Sequence, residues 1–180
     1  MRKFIIIIGI LAAMLVVLFF IFRTYTKSFS PEESSIFDDG NLKLEVIYNR
    51  PWKKDREIFG ALVPYDKVWR TGANEATTFS SNKEIQIKDK TLKAGKYSLW
   101  TIPGAESWTI IFNAQTGQWG ITAKGDANRN PDKDVLQVVV PAITQNNTFE
   151  QFTISFEKMG EEIEMILMWD QTVVVIPINQ

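Results

Sequence analysis

From Leu42 onward, one stretch after another alternates apolar and polar side chains with a period of two. That period commits the backbone to β-strand, because successive side chains of a strand point to opposite faces. Leu42, Leu44, Val46 and Tyr48 share a face, with Lys43 and Glu45 on the other. Ile85 and Ile87 mark a brief strand, and Tyr97, Leu99 and Thr101 alternate with Ser98, Trp100 and Ile102. Phe152, Ile154 and Phe156 oppose Gln151, Thr153 and Ser155; Ile163, Met165, Leu167 and Trp169 oppose Glu162 and Glu164. The runs Val135 to Val140 and Thr172 to Ile178 read as strands buried on both faces. Ala94-Gly95 precedes the Tyr97 strand, Pro103-Gly104 fits the central positions of a type II turn, and Asp170-Gln171 is placed to close the final hairpin. One short helical turn is expected near Asp55 to Leu62, and no other helix after the N-terminal region. Roughly eight or more short strands so spaced predict an all-β fold, an antiparallel, jelly-roll-like β-sandwich.

Ahead of this pattern, Phe4 to Phe22 runs for 19 residues without a charge. As a helix it would span roughly 28 Å, close to the hydrocarbon thickness of a bilayer. Arg2 and Lys3 precede it, and Arg23 and Lys27 follow. A cleaved secretory signal has a shorter apolar region and a small-x-small site after it. The one candidate here, Ser28-Phe29-Ser30, lies several residues beyond the run. The reading is an uncleaved signal anchor over residues 1–27, a tether over 28–40 and a β-domain over 41–180, with secretion after cleavage as the alternative. The flanking charges balance, so the positive-inside rule barely discriminates. The amino terminus tips the expectation toward a single-pass inner-membrane protein with its C-terminal domain in the periplasm or outside the cell.

Charge and composition then remove whole classes of function. Residues 1–30 hold four of the 20 basic side chains and no acidic one, leaving 16 basic against 21 acidic, a net of −5. That balance argues against nonspecific nucleic-acid binding, which needs a positive field. The chain has no Cys and no His. Disulfides, thiolate nucleophiles, lipoprotein-type anchoring, His- or Cys-ligated metals and Ser-His-Asp chemistry are therefore all excluded. Nothing calls for a metal or a cofactor.

Against the regular strands, residues 50–79 follow neither a helical nor a strand period and are dense in Arg, Trp, Asn and Glu. A long irregular segment on a β-scaffold is where function usually sits. Arg50, Lys53, Lys54 and Arg56, with Arg70 nearby, can hold a carboxylate, phosphate or sulfate. Equally, they can form a solvated loop whose charges pair with Asp55, Glu57 and Asp66. In Trp69-Arg70-Thr71-Gly72-Ala73-Asn74-Glu75, Asn74 and Glu75 can bind sugar hydroxyls while Trp69 stacks on a ring. The alternative is a buried Arg70–Glu75 ion pair with Trp69 in the core. A glycosidase-like pair would set Glu75 with Asp66 or Glu57 at about 5–5.5 Å or about 6.5–9.5 Å, according to mechanism. Gly125 to Asp134 echoes a calcium loop, but Pro131 stands where that loop needs Gly and Gln137 where it needs Glu. Ordinary turn chemistry explains the same residues. Of the remaining aromatics, Trp108 and Trp119 read as core, while Trp52 or Trp100 can face outward as a platform.

The motifs of this region are also long and specific. Arg50-Pro51, Arg56, Ile58-Phe59-Gly60, Leu62-Val63-Pro64-Tyr65 and Val68-Trp69-Arg70-Thr71-Gly72-Ala73-Asn74-Glu75-Ala76-Thr77 form one block. Ala94 to Leu99, Thr101-Ile102-Pro103-Gly104, Trp108 to Asn113, Gln118-Trp119-Gly120 and Asp134-Val135-Leu136 follow. Over most of residues 42–178 the chain resembles a bacterial family of unknown function, DUF2911. The resemblance implies an exported β-rich domain and supplies no activity, ligand or catalytic residue. Asp55 stands where that pattern has Gly, the Gly125 to Asp134 loop is longer, and an uncleaved anchor differs from secreted members.

The expected role is noncatalytic: binding a small polar, anionic or glycan-like ligand, or a partner protein, through Arg50, Arg56, Trp69, Arg70, Asn74 and Glu75. A metal-independent hydrolase or lyase using Glu75, with Arg70 stabilising negative charge, is the alternative. A structural envelope component held by sheet-edge pairing is a third.

Overall fold

A computed structural model describes residues 2–180 of the chain. Met1 and the Arg2 side chain, part of the expected N-terminal flank, lie outside the described residues. Helix α1 spans Arg2–Phe29. Over Phe4 to Phe22 it is apolar around its whole circumference and exposed, so it has no face to bury against a soluble core, and its span Lys3–Phe29 is long enough to cross a membrane. A membrane anchor and a signal sequence both meet that description. Pro31 ends the helix by disfavouring helical backbone at the residue before it.

Nine strands follow: β1 (Glu32–Asp38), β2 (Lys43–Asn49), β3 (Thr78–Ser81), β4 (Ile85–Ile87), β5 (Lys90–Leu92), β6 (Gly95–Ile102), β7 (Ser107–Asn113), β8 (Asp134–Met159) and β9 (Glu162–Asn179). They form one antiparallel, unclosed sheet in the order β1-β2-β3-β6-β7-β8-β9-β4-β5. The fold is therefore all-β with one N-terminal apolar helix. β8 pairs with β7 as far as Pro141 and with β9 from Ala142, so it carries the chain from one half of the sheet to the other. Both halves contribute to one core, from Leu44 and Phe79 through Phe112 and Ile154 to Leu167 and Ile176. This is consistent with a two-layer sandwich. Tyr48 Oη spans the layers, donating to the Ile154 carbonyl at 3.2 Å and accepting from its N–H at 2.9 Å.

The period-two faces of β2 and β9 are buried as expected. Several other expectations are corrected. Val135 and Val139 are 50% and 53% exposed, so that run buries one face only. In the second run, too, Val174, Ile176 and Ile178 are buried while Val173 and Val175 are less so. β-branched residues suit a strand whether or not both faces are covered, and composition alone does not separate the cases. β6 is buried on both faces instead: Trp100 and Ile111 pack with Ala76, Val68, Ile102 and Ala127 in a second small core. Asp170 does not close the last hairpin. It lies inside β9 at φ 52°, opposite Phe149, where the β8–β9 register shifts, and Gly160 (φ 67°) is in the tip. The strands are not uniformly short, since β8 and β9 run for 26 and 18 residues. Gly104 is needed for space rather than for positive φ, because a Cβ there would sit 2.6 Å from the Ser107 carbonyl oxygen. Residues 55–62 form turns rather than helix: Val63 N–H donates to Ile58 O at 2.8 Å and Gly60 N–H to Val63 O at 2.9 Å. This knot seats Ile58, Phe59 and Val63 in the core. Residues 32–38, read as tether, form the edge strand β1, paired with β2 over its whole length.

Candidate functional site

The irregular segment owes its conformation to local hydrogen bonds that replace a sheet ladder. Lys53 N–H donates to Glu150 O at 2.7 Å, and Phe152 N–H to Pro51 O at 3.0 Å, which lays the start of the segment along β8. Trp69 exchanges backbone bonds with Thr101 of β6 at 2.7 and 3.0 Å. The next eight residues close on themselves: Thr77 N–H donates to Arg70 O at 3.2 Å, and Thr77 Oγ1 donates to Thr71 O at 2.6 Å. Thr71 (φ 56°), Gly72 (φ 153°) and Asn74 (φ 53°) all take positive φ. For the β-branched Thr71 this conformation costs on the order of 1–3 kcal/mol. Gly72 has no alternative, because a Cβ would lie 2.9 Å from the Asn49 carbonyl oxygen.

Beside this loop lies a cleft of about 860 Å³. Its wall carries four cations, Lys54, Arg56, Lys67 and Arg70, and one acid, Asp126. Apolar lining comes from Trp52, Leu62, Val63, Trp69, Ile121 and Trp169, among others, and the end of α1 adds Phe29 and Ser30. Lys54 Nζ sits 5.2 Å from the centre of the Phe29 ring, within cation–π range.

Arg70 is half-buried, and among the described residues no carboxylate oxygen lies within 4.0 Å of its guanidinium. Its Nη1 donates a long bond, 3.4 Å, to the Trp119 carbonyl. Burial lowers the guanidinium pKa and the Glu75 charge partly restores it; the group stays charged at any physiological pH. Gly120 (φ 101°) makes room for the arginine stem, since a Cβ there would run into Arg70 Cδ. A second unspent donor is close by. Trp169 lines the cleft, and its buried Nε1 has no acceptor among the described residues.

The other expected site residues divide. Trp69 is partly buried and belongs to an aromatic cluster, stacking on Trp169 at 6.0 Å and meeting Phe59, Trp108 and Phe152 edge-on or tilted at 5.0–6.2 Å. Its Nε1 donates to Gly72 O at 3.0 Å, so it braces the loop while showing the cleft one surface. Arg56 lines the cleft and donates to the carbonyls of Lys53 and Trp52. Arg50 is not in the lining. It donates to Phe152 O at 3.1 Å and Thr153 Oγ1 at 2.8 Å and pairs with Glu33 at 3.2 Å, which ties the layers together. Asn74 is buried, donating to Ser30 O at 3.2 Å and Asn49 Oδ1 at 3.3 Å. Glu75 does not pair with Arg70. Its Oε1 meets Arg23 Nη2 at 2.7 Å and Lys27 Nζ at 3.5 Å, both from α1. Burial alone would raise the Glu75 carboxyl, but its own backbone amide, Arg23 and Lys27 outweigh that and hold it below the usual carboxylate range.

The local charge pairing expected of the basic cluster does not form either. Lys53 pairs with Asp170 at 3.0 Å, and neither Asp55, Glu57 nor Asp66 takes an ion-pair partner among the described residues. Glu57 and Asp66 are exposed and outside the cleft lining. Asp134 accepts from Arg129, Asn113 and Gln137, and Asn130 caps the 3-10 turn Pro131–Lys133, so the calcium-like letters serve as turn chemistry. Trp100 and Trp108 are core and Trp52 is 39% exposed. Lys67, Asp126, Phe29 and Trp169 were not foreseen as lining; their separation in sequence hides their convergence.

A family model described as "Protein of unknown function (DUF2911)" matches residues 30–178. The chain belongs to the DUF2911 family. In this DUF2911 member the matched region starts at Ser30, so it takes in nearly all of the β-domain and the cleft except for Phe29 of α1. No curated protein and no solved structure matches the chain.

Proposed function

We propose that this DUF2911 protein is a membrane-anchored, noncatalytic binding module whose cleft takes a small organic anion. One observation carries the reading: the half-buried Arg70 guanidinium, with no carboxylate partner among the described residues, faces a cleft bearing three other cations and one acid. Elsewhere the soluble part is net acidic, so this local excess of positive charge is a departure that an anion would relieve. A guanidinium fork suits phosphate, sulfate or carboxylate.

The carboxylate-catalysis alternative finds less support, because both Glu75 oxygens are occupied, by Arg23 and Lys27 on one and Asn49 on the other. Retention of the N-terminal helix is supported by the contacts that cleavage near Ser28-Phe29-Ser30 would discard: Arg23 and Lys27 on Glu75, and Phe29 against Lys54. The domain is then held at the membrane, and the periplasmic or extracellular side is the reading we adopt.

The test is a thermal shift of the full chain in phosphatidylcholine nanodiscs, followed by tryptophan fluorescence. Inorganic phosphate, sulfate, small carboxylates and neutral sugars are each added to wild type and to Arg70→Met. At 100 times its dissociation constant an anion should stabilise wild type by about 2.7 kcal/mol and leave Arg70→Met unmoved. A sugar that stabilises both proteins, with no response to any anion, refutes the anion reading.

A further inference from the structure

The position of the cleft narrows its ligand. The uncharged run ends at Phe22 and α1 continues to Phe29, seven residues or about 10 Å farther along the axis. The headgroup zone is about 5–8 Å deep on each side of the hydrocarbon, so the end of α1 stands where lipid headgroups meet water. Phe29 and Ser30, at that end, are part of the cleft wall. The domain is fixed there by the Glu75 contacts to Arg23 and Lys27 and by the Asn74 bond to Ser30 O.

The lining is also two-natured. Beside the cations stand Trp52 and Leu62, 39% and 46% exposed, and the partly exposed Trp69. Tyr25 and Phe29, stacked edge-on at 4.9 Å, extend the exposed aromatic surface down the helix toward the bilayer. Aromatic side chains with one polar atom favour this depth of a membrane. A wholly polar anion would use the cations and leave the apolar wall wet.

We propose that the cleft binds an anionic amphiphile drawn from the leaflet in which α1 ends, its phosphate or carboxylate head on Arg70 and its first methylenes on the Trp52, Leu62 and Trp69 wall. This inference rests on the anion-binding reading and specifies its ligand class.

The experiment uses the full chain in phosphatidylcholine nanodiscs and titrates methyl, butyl and hexyl phosphate, with hexylamine as the control of opposite charge. Hexyl phosphate should bind at least about 30-fold tighter than methyl phosphate. Each methylene moved from water to an apolar wall is worth about fourfold, and about three seated methylenes suffice. Hexylamine should not bind, and Arg70→Met should lose all three phosphates. Discs containing phosphatidic acid should raise the melting temperature of wild type but not of Arg70→Met. Equal binding of methyl and hexyl phosphate overturns the amphiphile and leaves the anion reading standing. Binding of none of them overturns both. Tight hexyl phosphate binding with no response to phosphatidic acid overturns the membrane source.

Discussion

Replacing Arg70 by methionine should stabilise the empty protein. The arginine is half-buried without a carboxylate among the described residues, and its one hydrogen bond there is the 3.4 Å contact to Trp119 O. A bond that long contributes at most about 1 kcal/mol. Taking a guanidinium out of water costs several kcal/mol when burial is complete, and a half-buried group bears roughly 2 kcal/mol of it. Methionine keeps a stem of similar length over Gly120, where no other side chain fits. The balance is a gain of about 1 kcal/mol, or about 2–4 °C in melting temperature for a chain of this size. Thermal melts of wild type and Arg70→Met in identical nanodiscs measure it directly. A fall of more than about 4 °C would mean that the Arg70 contacts brace the loop, and the reasoning that makes this cation a waiting ligand-binding group would fail.

Other outcomes follow from the same geometry. Glu75→Gln should release Arg23 and Lys27, speeding tryptic cleavage after both residues in the detergent-solubilised chain. Because Glu75 is held below the usual carboxylate range when folded, the helix contact is fully present above that range and is lost as pH falls through the depressed value. Acid should therefore open the same junction in wild type, with little effect between pH 6 and 8, read as cleavage near the end of α1 by an acid-tolerant protease that cuts Glu75→Gln there at every pH. Trp69→Ala should cost about 3–5 kcal/mol in denaturant unfolding, and Trp52→Ala, at an exposed position, within about 0.5 kcal/mol. Gly120→Ala should lose anion binding by displacing Arg70, and should destabilise more than Gly40→Ala, where a Cβ meets open space; calorimetry of both variants decides it.

The strands were legible where one face is buried. Leu42 to Tyr48 and Ile163 to Trp169 alternate because water lies on one side and core on the other. The Val135 run was not, since Val139 looks the same facing solvent or core. Asp170 was misplaced because aspartate suits a turn and suits equally the positive φ of a register shift. At the site, Trp69, Arg70 and Arg56, which stand out in sequence because their segment breaks period, line the cleft. Sequence could not assign Glu75, whose partners lie 52 and 48 residues earlier in a helix that reads as membrane-only, nor Arg50, whose acceptors on β8 are more than 100 residues away.

The junction of α1 and β1 has a mechanical consequence. A flexible tether over residues 28–40 would let the domain wander by about 20 Å, sampling many heights and orientations. Here helix gives way to edge strand across Ser30 and Pro31 alone, so in the anchored arrangement we propose the altitude of the cleft would change only as the helix tilts. That arrangement would give up vertical search for a fixed address, and the cleft would sample what travels in the plane of the membrane at the depth of its mouth.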